Sequence, residues 1–182
     1  MAVITRFVTM KLKRPIDLNE DEIPNTPLLV HQGKVLPEWI DYNGHMNVAY
    51  YVMVFDHATD GMFDMIDIGI DHVKRDNGSM FVLETHVNYL QEVDEGAPLD
   101  LTCQMIDADE KRLHLYFEMH HGEEGFLSAT SELMALHVDM NTRRTAPFLP
   151  DAQARINAIM AQHKDLPKPE RVGQTIGIRR KS

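Results

Sequence analysis

From His45 to Asp60 the chain runs without a glycine or a proline. Tyr51, Val54, Phe55, Ala58, Met62, Met65 and Ile66 recur at three- and four-residue intervals, the spacing of one helix face. A helix is predicted over 46–67. Asp56, His57, Asp60, Asp64 and Asp67 mark its wet face. Val52, Met53 and Phe63 widen the apolar surface beyond one stripe. A helix apolar on more than one side has to be wrapped, by a sheet or at a subunit contact.

The flanks supply a sheet. Leu28 to Val30 and Val35 to Ile40 read as a first strand over 28–40, bent or at an edge where Pro37 and Trp39 fall. From Phe81 the period changes to two. Phe81, Leu83, Thr85, Val87 and Tyr89 alternate with their neighbours, as do Leu99, Leu101, Cys103 and Met105, then Leu113, Leu115, Phe117 and Met119. Phe126 to Val138 is the last long strand. Polar turns at 107–111 and 121–125 join these runs, which predicts an antiparallel meander. A second helix is predicted over 151–163. One strand, one long helix and about four further strands make an α+β fold, an antiparallel sheet curled around a long central helix.

The 182 residues suit one domain over 27–165, with an N-terminal arm over 1–26 and a C-terminal tail over 166–182. The arm carries a possible short strand from Ile4 to Leu12 and an acidic loop from Asp17 to Glu22. The tail is expected to be ordered, if at all, by a partner. A formal charge of −10 argues against nucleic acid or an anionic membrane as partner, since both would be repelled. The single Cys103 excludes an internal disulfide and fits a reducing, cytoplasmic setting; its place in an alternating strand points to an inert buried thiol. No apolar run approaches a membrane span, and no secretory signal is visible.

The chemistry concentrates where strand meets helix. Asp41-Tyr42-Asn43-Gly44-His45-Met46-Asn47 puts an acid, a tight turn and a helix start in succession. A helix start presents unpaired N–H groups and the positive end of the helix dipole. An acid beside such donors can attack, or activate water against, a carbonyl that the donors polarise. Asp-x-Asn-Gly equally suits a plain type I turn, and Asn47 a plain helix cap.

Asp41, Asn43-Gly44-His45 and Asn47-x-x-Tyr50, in this order, resemble the hotdog-fold acyl-CoA thioesterases of the 4-hydroxybenzoyl-CoA thioesterase type. Glu84-Thr85-His86, Asp109 to Leu115 and Leu136-His137-Val138-Asp139 look like the subgroup that hydrolyses betainyl-CoA to glycine betaine and coenzyme A in bacterial carnitine degradation. The resemblance spans roughly 28–163. It implies Asp41 as nucleophile or general base, with Gly44 allowing a close backbone approach. Amides around His45 to Val48 would hold the oxyanion, and Asn47 would orient the acid or the water. His45 would position Asp41 or assist the leaving thiolate. It further implies a homodimer or homotetramer, with the site between subunits, and no cofactor beyond the coenzyme A of the substrate.

A substrate-binding set is also expected. Glu84, with Trp39, Tyr42, Tyr51 or Tyr89, would suit a trimethylammonium group. Lys111 with Arg112, and Arg143 with Arg144, would meet the phosphates of coenzyme A. No His-Glu-x-x-His or Cys/His cluster suggests a metal. There is no Gly-x-Ser-x-Gly elbow. Two rivals stay open: a hotdog acyl-CoA hydratase or dehydratase with Asp41 and His45 as a proton-transfer pair, and a non-catalytic acyl-CoA-binding module.

Overall fold

A computed structural model describes residues 14–16 and 23–178. The Ile4–Leu12 strand and the acidic loop 17–22 lie outside the described residues. The elements run β1 (Leu28–Lys34), α1 (Val48–Met65), α2 (Ile70–Asp76), β2 (Gly78–Tyr89), β3 (Pro98–Ala108), β4 (Arg112–His121), β5 (Leu127–Asp139), β6 (Arg144–Thr145) and α3 (Pro150–His163). The sheet order is β1-β3-β4-β5-β2, all antiparallel, with the short β6 added to the end of β5.

The helix–sheet relation is as the apolar spacing predicts. Val54, Phe55, Ala58, Met62 and Met65 of α1 are buried. Phe55 meets Phe117 of β4 with ring centroids 6.5 Å apart. Cys103, Phe117, Ser131 and Val87 are paired across four neighbouring strands and form one row on the helix side. Each fully buried side chain of this size contributes about 1.5–3 kcal/mol, so the α1 face is a substantial part of the hydrophobic term. Cys103 is buried, and burial pushes its thiol well above the ordinary range, which leaves it an inert core residue.

Three sequence expectations are corrected. The first strand ends at Lys34: Pro37 opens a 3-10 turn over Pro37–Trp39, and only Ile40 resumes pairing, in a bridge to Met46. The meander holds for β3, β4 and β5 only. β2 does not pair with β3; it occupies the far edge beside β5. The segment between β2 and β3 is held to β1 instead, since Val35 N–H donates to Ala97 O at 2.9 Å and Gly96 N–H to Val35 O at 2.9 Å. The alternation in β2 is also interrupted, by an irregularity between Val82 and Glu84. Thr85, Val87 and Tyr89 share the helix-side rows, whereas Glu84 and His86 sit in the outward rows.

The outer face of the sheet carries the row Gln104, Tyr116, Glu132 and His86. The tail crosses this face. Gln104 Nε2 donates to Pro167 O at 3.4 Å, and Gly173 N–H donates to both Glu132 oxygens at 3.1 and 2.8 Å. The described part of the tail is thus ordered on its own chain, contrary to the expectation that only a partner would order it.

A buried polar chain closes the end of the sheet opposite Asp41. His72 Nδ1 lies 2.9 Å from Asp76 Oδ2, the His72 and His137 Nε2 atoms are 3.0 Å apart, and His137 Nδ1 donates to Ala146 O at 2.9 Å. His72 and His137 are both buried. Gly78 fits between them: a Cβ there would collide with both Nε2 atoms.

Candidate active site

The Asp41 turn is built from backbone first. Asp41 N–H donates to His45 O at 3.0 Å, Gly44 N–H donates to Asp41 O at 3.0 Å, and Asn47 N–H donates to Trp39 O at 2.9 Å. Gly44 has φ 87°, a left-handed conformation that glycine adopts without strain. The turn is therefore closed on itself and joined to the 3-10 turn before it.

The carboxylate is held within this frame and is half-buried. Asp41 Oδ1 accepts from Asn43 N–H at 2.8 Å, and Oδ2 lies 3.4 Å from the Asn47 Nδ2 donor. Asn47 also caps α1, its Oδ1 accepting from Ala49 N–H at 3.0 Å. The capping and orienting roles therefore coexist in one side chain.

The amides at the helix start are mostly spent. Met46 N–H donates to Val93 O, Asn47 N–H to Trp39 O and Tyr50 N–H to Asn47 O. Among the described residues, the N–H of Val48, the first residue of α1, has no partner, and Val48 is 58% exposed. This is the open donor at the positive end of the helix.

His45 is also partnered. Its Nδ1 lies 3.1 Å from Glu92 Oε2. Nothing in the sequence links an acid in the β2–β3 segment to a histidine in the turn. The link is visible only once Met46 N–H is seen donating to Val93 O at 3.0 Å.

The aromatic residues split. Trp39 and Tyr50 stack at 5.5 Å, and Tyr51 is buried edge-on to Tyr89 at 5.3 Å. Burial raises the Tyr51 phenol above its ordinary range. Tyr42 is 95% exposed. These aromatics adjoin the start of α1, but Glu84 is exposed on an outward row of β2, paired with Met134. Within one chain it does not join the Asp41 turn.

The basic pairs also lie elsewhere. Lys111 and Arg112 follow the β3–β4 turn, and Arg143 and Arg144 follow β5, so the four share one end of the sheet. His137 N–H donates to Lys111 O and Phe148 N–H to Glu110 O, which holds the two segments together. Arg112 is engaged with Asp109 at 2.6 Å, and this partner holds the Asp109 carboxyl down at about 2. Arg143 lies over the Phe81 ring at 5.8 Å. The Asp41 turn is at the opposite end, beside Val93 and the close of β2. A cleft lined by Arg14, Asp64, Asp67, Asp71 and His72 lies at the far end of α1 and shares no residue with the turn. No group of three or more His, Cys, Asp or Glu side chains able to hold a metal ion occurs among the described residues. No helix among them is long and apolar enough to cross a membrane.

Known proteins share this chain's sequence pattern and fold. The chain is 43% identical over 153 residues to a betainyl-CoA thioesterase of Pseudomonas aeruginosa, covering 83% of this chain and 95% of that protein. It is 34% identical to an L-carnitine dehydrogenase/betainyl-CoA thioesterase of a Rhizobium species, covering 85% of this chain but 31% of that longer protein. Among solved structures, a Staphylococcus aureus protein in complex with CoA superposes with TM-score 0.78 at 28% identity, covering 84% of this chain and 97% of that one. A Pseudomonas putida KT2440 protein superposes with TM-score 0.73 at 36% identity, covering 85% and 99%. Residues 35–156 match the Thioesterase-like superfamily, and with an acid-bearing turn at the start of a sheet-wrapped helix the chain belongs to that family.

Proposed function

We propose that this chain is a cytoplasmic enzyme that hydrolyses betainyl-CoA to glycine betaine and coenzyme A, without a metal or redox cofactor. The reaction class is supported by the family, and the acyl group by the Pseudomonas aeruginosa relative of that name. The observation that carries the chemistry is the Asp41 carboxylate, steadied by Asn43 and Asn47 beside the open Val48 amide.

The thioester oxygen is held by the Val48 N–H, which gains most as negative charge develops there. Asp41 attacks the carbonyl carbon, or takes the proton of a water that does so. The C–S bond breaks, and sulfur leaves as thiolate and takes up a proton. Trp39, Tyr50 and Tyr89 lie about the helix start with part of each ring exposed, which suits a trimethylammonium group.

The working unit is a homodimer through the β2 edge. Among the described residues this edge pairs with nothing beyond β5, and Phe81, Val82, Leu83, Tyr89 and Leu90 along it are exposed. An unpaired apolar edge strand is a template for a second chain. Antiparallel pairing about a two-fold axis sets the Tyr89 end of one β2 beside the Phe81 end of the other. Each Asp41 turn then lies near the partner's Arg143 end, which supplies the cationic groups that one chain keeps remote.

The test is thiol release from a panel of acyl-CoA thioesters by wild type and Asp41→Asn. Wild type turns over betainyl-CoA in preference to acetyl- or benzoyl-CoA. Asp41→Asn loses at least about 100-fold in kcat and still binds a non-hydrolysable analogue. Equal turnover by both proteins refutes the role of Asp41. No preference for betainyl-CoA refutes the substrate.

A further inference from the structure

We propose that His72 and His137 hold one proton between them, making a buried cationic pair that fastens α2 to the segment following β5. The proposal concerns the end of the sheet away from Asp41 and stands apart from the hydrolase reading.

The proton count follows from what each ring faces. His137 Nδ1 lies 2.9 Å from Ala146 O, and a carbonyl only accepts, so this nitrogen carries a proton. His72 Nδ1 lies 2.9 Å from Asp76 Oδ2, and the same oxygen accepts from Arg75 Nε at 2.8 Å. These donors, His72 foremost, hold the Asp76 carboxyl below its ordinary range. Asp76 is therefore a carboxylate, and His72 Nδ1 carries a proton as well. The two Nε2 atoms then face each other at 3.0 Å. The ring centroids are 5.2 Å apart and the planes differ by 36°, so the rings meet tip to tip rather than face to face. Two lone pairs at that distance repel, and two N–H groups collide. One proton between them makes a hydrogen bond. The pair thus carries three ring protons, one more than two neutral imidazoles hold.

A buried cation needs a partner. Both rings are buried. Asp76 supplies the charge from α2, and Arg75 behind it is also engaged with Asp67 at 3.1 Å. β2 offers only Gly78, which has no side chain to place there. From beyond β5 come the Ala146 carbonyl and the uncharged Phe148 ring, whose centroid is 5.4 Å from that of His137. Arg14, Asp64, Asp67 and Asp71 line the cleft beside His72, but Asp76 is its one carboxylate partner among the described residues. Ala146 N–H returns a hydrogen bond to His137 O at 3.1 Å, so His137 grips that residue twice. Arg143 and Arg144 lie just before it. Loss of the shared proton sets two lone pairs against each other and parts α2 from His137 and the segment it holds.

The test is nitrogen-15 NMR of protein labelled in its histidine rings, with the pair's signals identified by loss in His137→Gln and by shift in Asp76→Asn. At about pH 8, where an ordinary histidine is neutral, wild type shows three protons on the four ring nitrogens. In Asp76→Asn the new amide donates to His72 Nδ1. The His72 proton then sits on Nε2 and meets the His137 lone pair, so the count falls to two. This chain is fully satisfied without a charge, and the variant folds. Proton linkage gives a second reading. The folded pair keeps a proton that the unfolded histidines release. Its contribution is whole below about 6.5 and is lost as the pH rises through the folded pair's own titration. Between the two, the unfolding constant of wild type rises about tenfold per pH unit. His163 adds no slope there, and the buried Cys103 thiol adds the same slope to both proteins. Asp76→Asn lacks the slope that the pair supplies. Two or four ring protons in wild type, or equal slopes in the two proteins, overturn the proposal. A wild type without thioesterase activity refutes the hydrolase reading and leaves both measurements intact.

Discussion

Asn47 binds the catalytic candidate Asp41 and the helix beneath it with opposite ends of one amide. Its nitrogen lies 3.4 Å from Asp41 Oδ2, and its oxygen accepts from Ala49 N–H at 3.0 Å. Serine at this position keeps a capping oxygen and removes the Nδ2 group that reaches Asp41. Asn47→Ser should therefore unfold within a few tenths of a kcal/mol of wild type while kcat falls. Asn47→Ala should lose the cap as well, at about 1 kcal/mol. Chemical denaturation beside steady-state kinetics separates the two effects.

Gly78→Ala tests the buried histidine pair. The added methyl would push against both Nε2 atoms, which are 3.0 Å apart in a site without spare room. Overpacking and a lost buried hydrogen bond together should cost about 3 kcal/mol. The measurement is the urea midpoint, and a change below about 0.5 kcal/mol would show that the pair relaxes freely.

His163 should make the fold sensitive to acid. Burial holds its imidazole down at about 4, against an ordinary 6.5, and its Nδ1 accepts from Met105 N–H at 3.0 Å, which a protonated Nδ1 could not do. The folded state thus favours the neutral ring. Its contribution is complete above 6.5, shrinks as the pH falls below that, and is gone near 4. The gap corresponds to roughly 3 kcal/mol. Stability measured from pH 7 down to pH 4 should fall accordingly, and His163→Gln should flatten that part of the curve.

Leu83→Lys addresses the β2 edge. Leu83 is exposed midway along a strand that, among the described residues, is paired on one side only. In the proposed dimer, a charge on each chain near the two-fold axis opposes pairing. Sedimentation should show wild type as a dimer and the variant as a monomer at the same concentration, and thioesterase activity should fall with it. An active monomer would place the whole site within one chain.

Much of this was legible in the residues, for local reasons. The α1 face followed from its spacing, and the acid at its start from Asp41, Gly44 and Asn47 lying within one turn. Pro37 shortened the first strand because its ring favours the 3-10 turn that follows Leu36. The short α2 was not expected: seven residues with a single buried side chain, His72, give too little periodicity. The place of β2 was hidden because alternation reveals a strand but not its neighbour. Glu92 was missed for the same reason. Its tie to His45 depends on Met46 meeting Val93, a pairing of distant segments that no local pattern encodes.

The tail has a bearing on assembly. With Gly173 seated on Glu132 and Pro167 on Gln104, the chain already occupies the back of its own sheet. Two such sheets could not stack back to back without first peeling these segments away. A partner approaching this face would meet the chain's own tail before it met the strands.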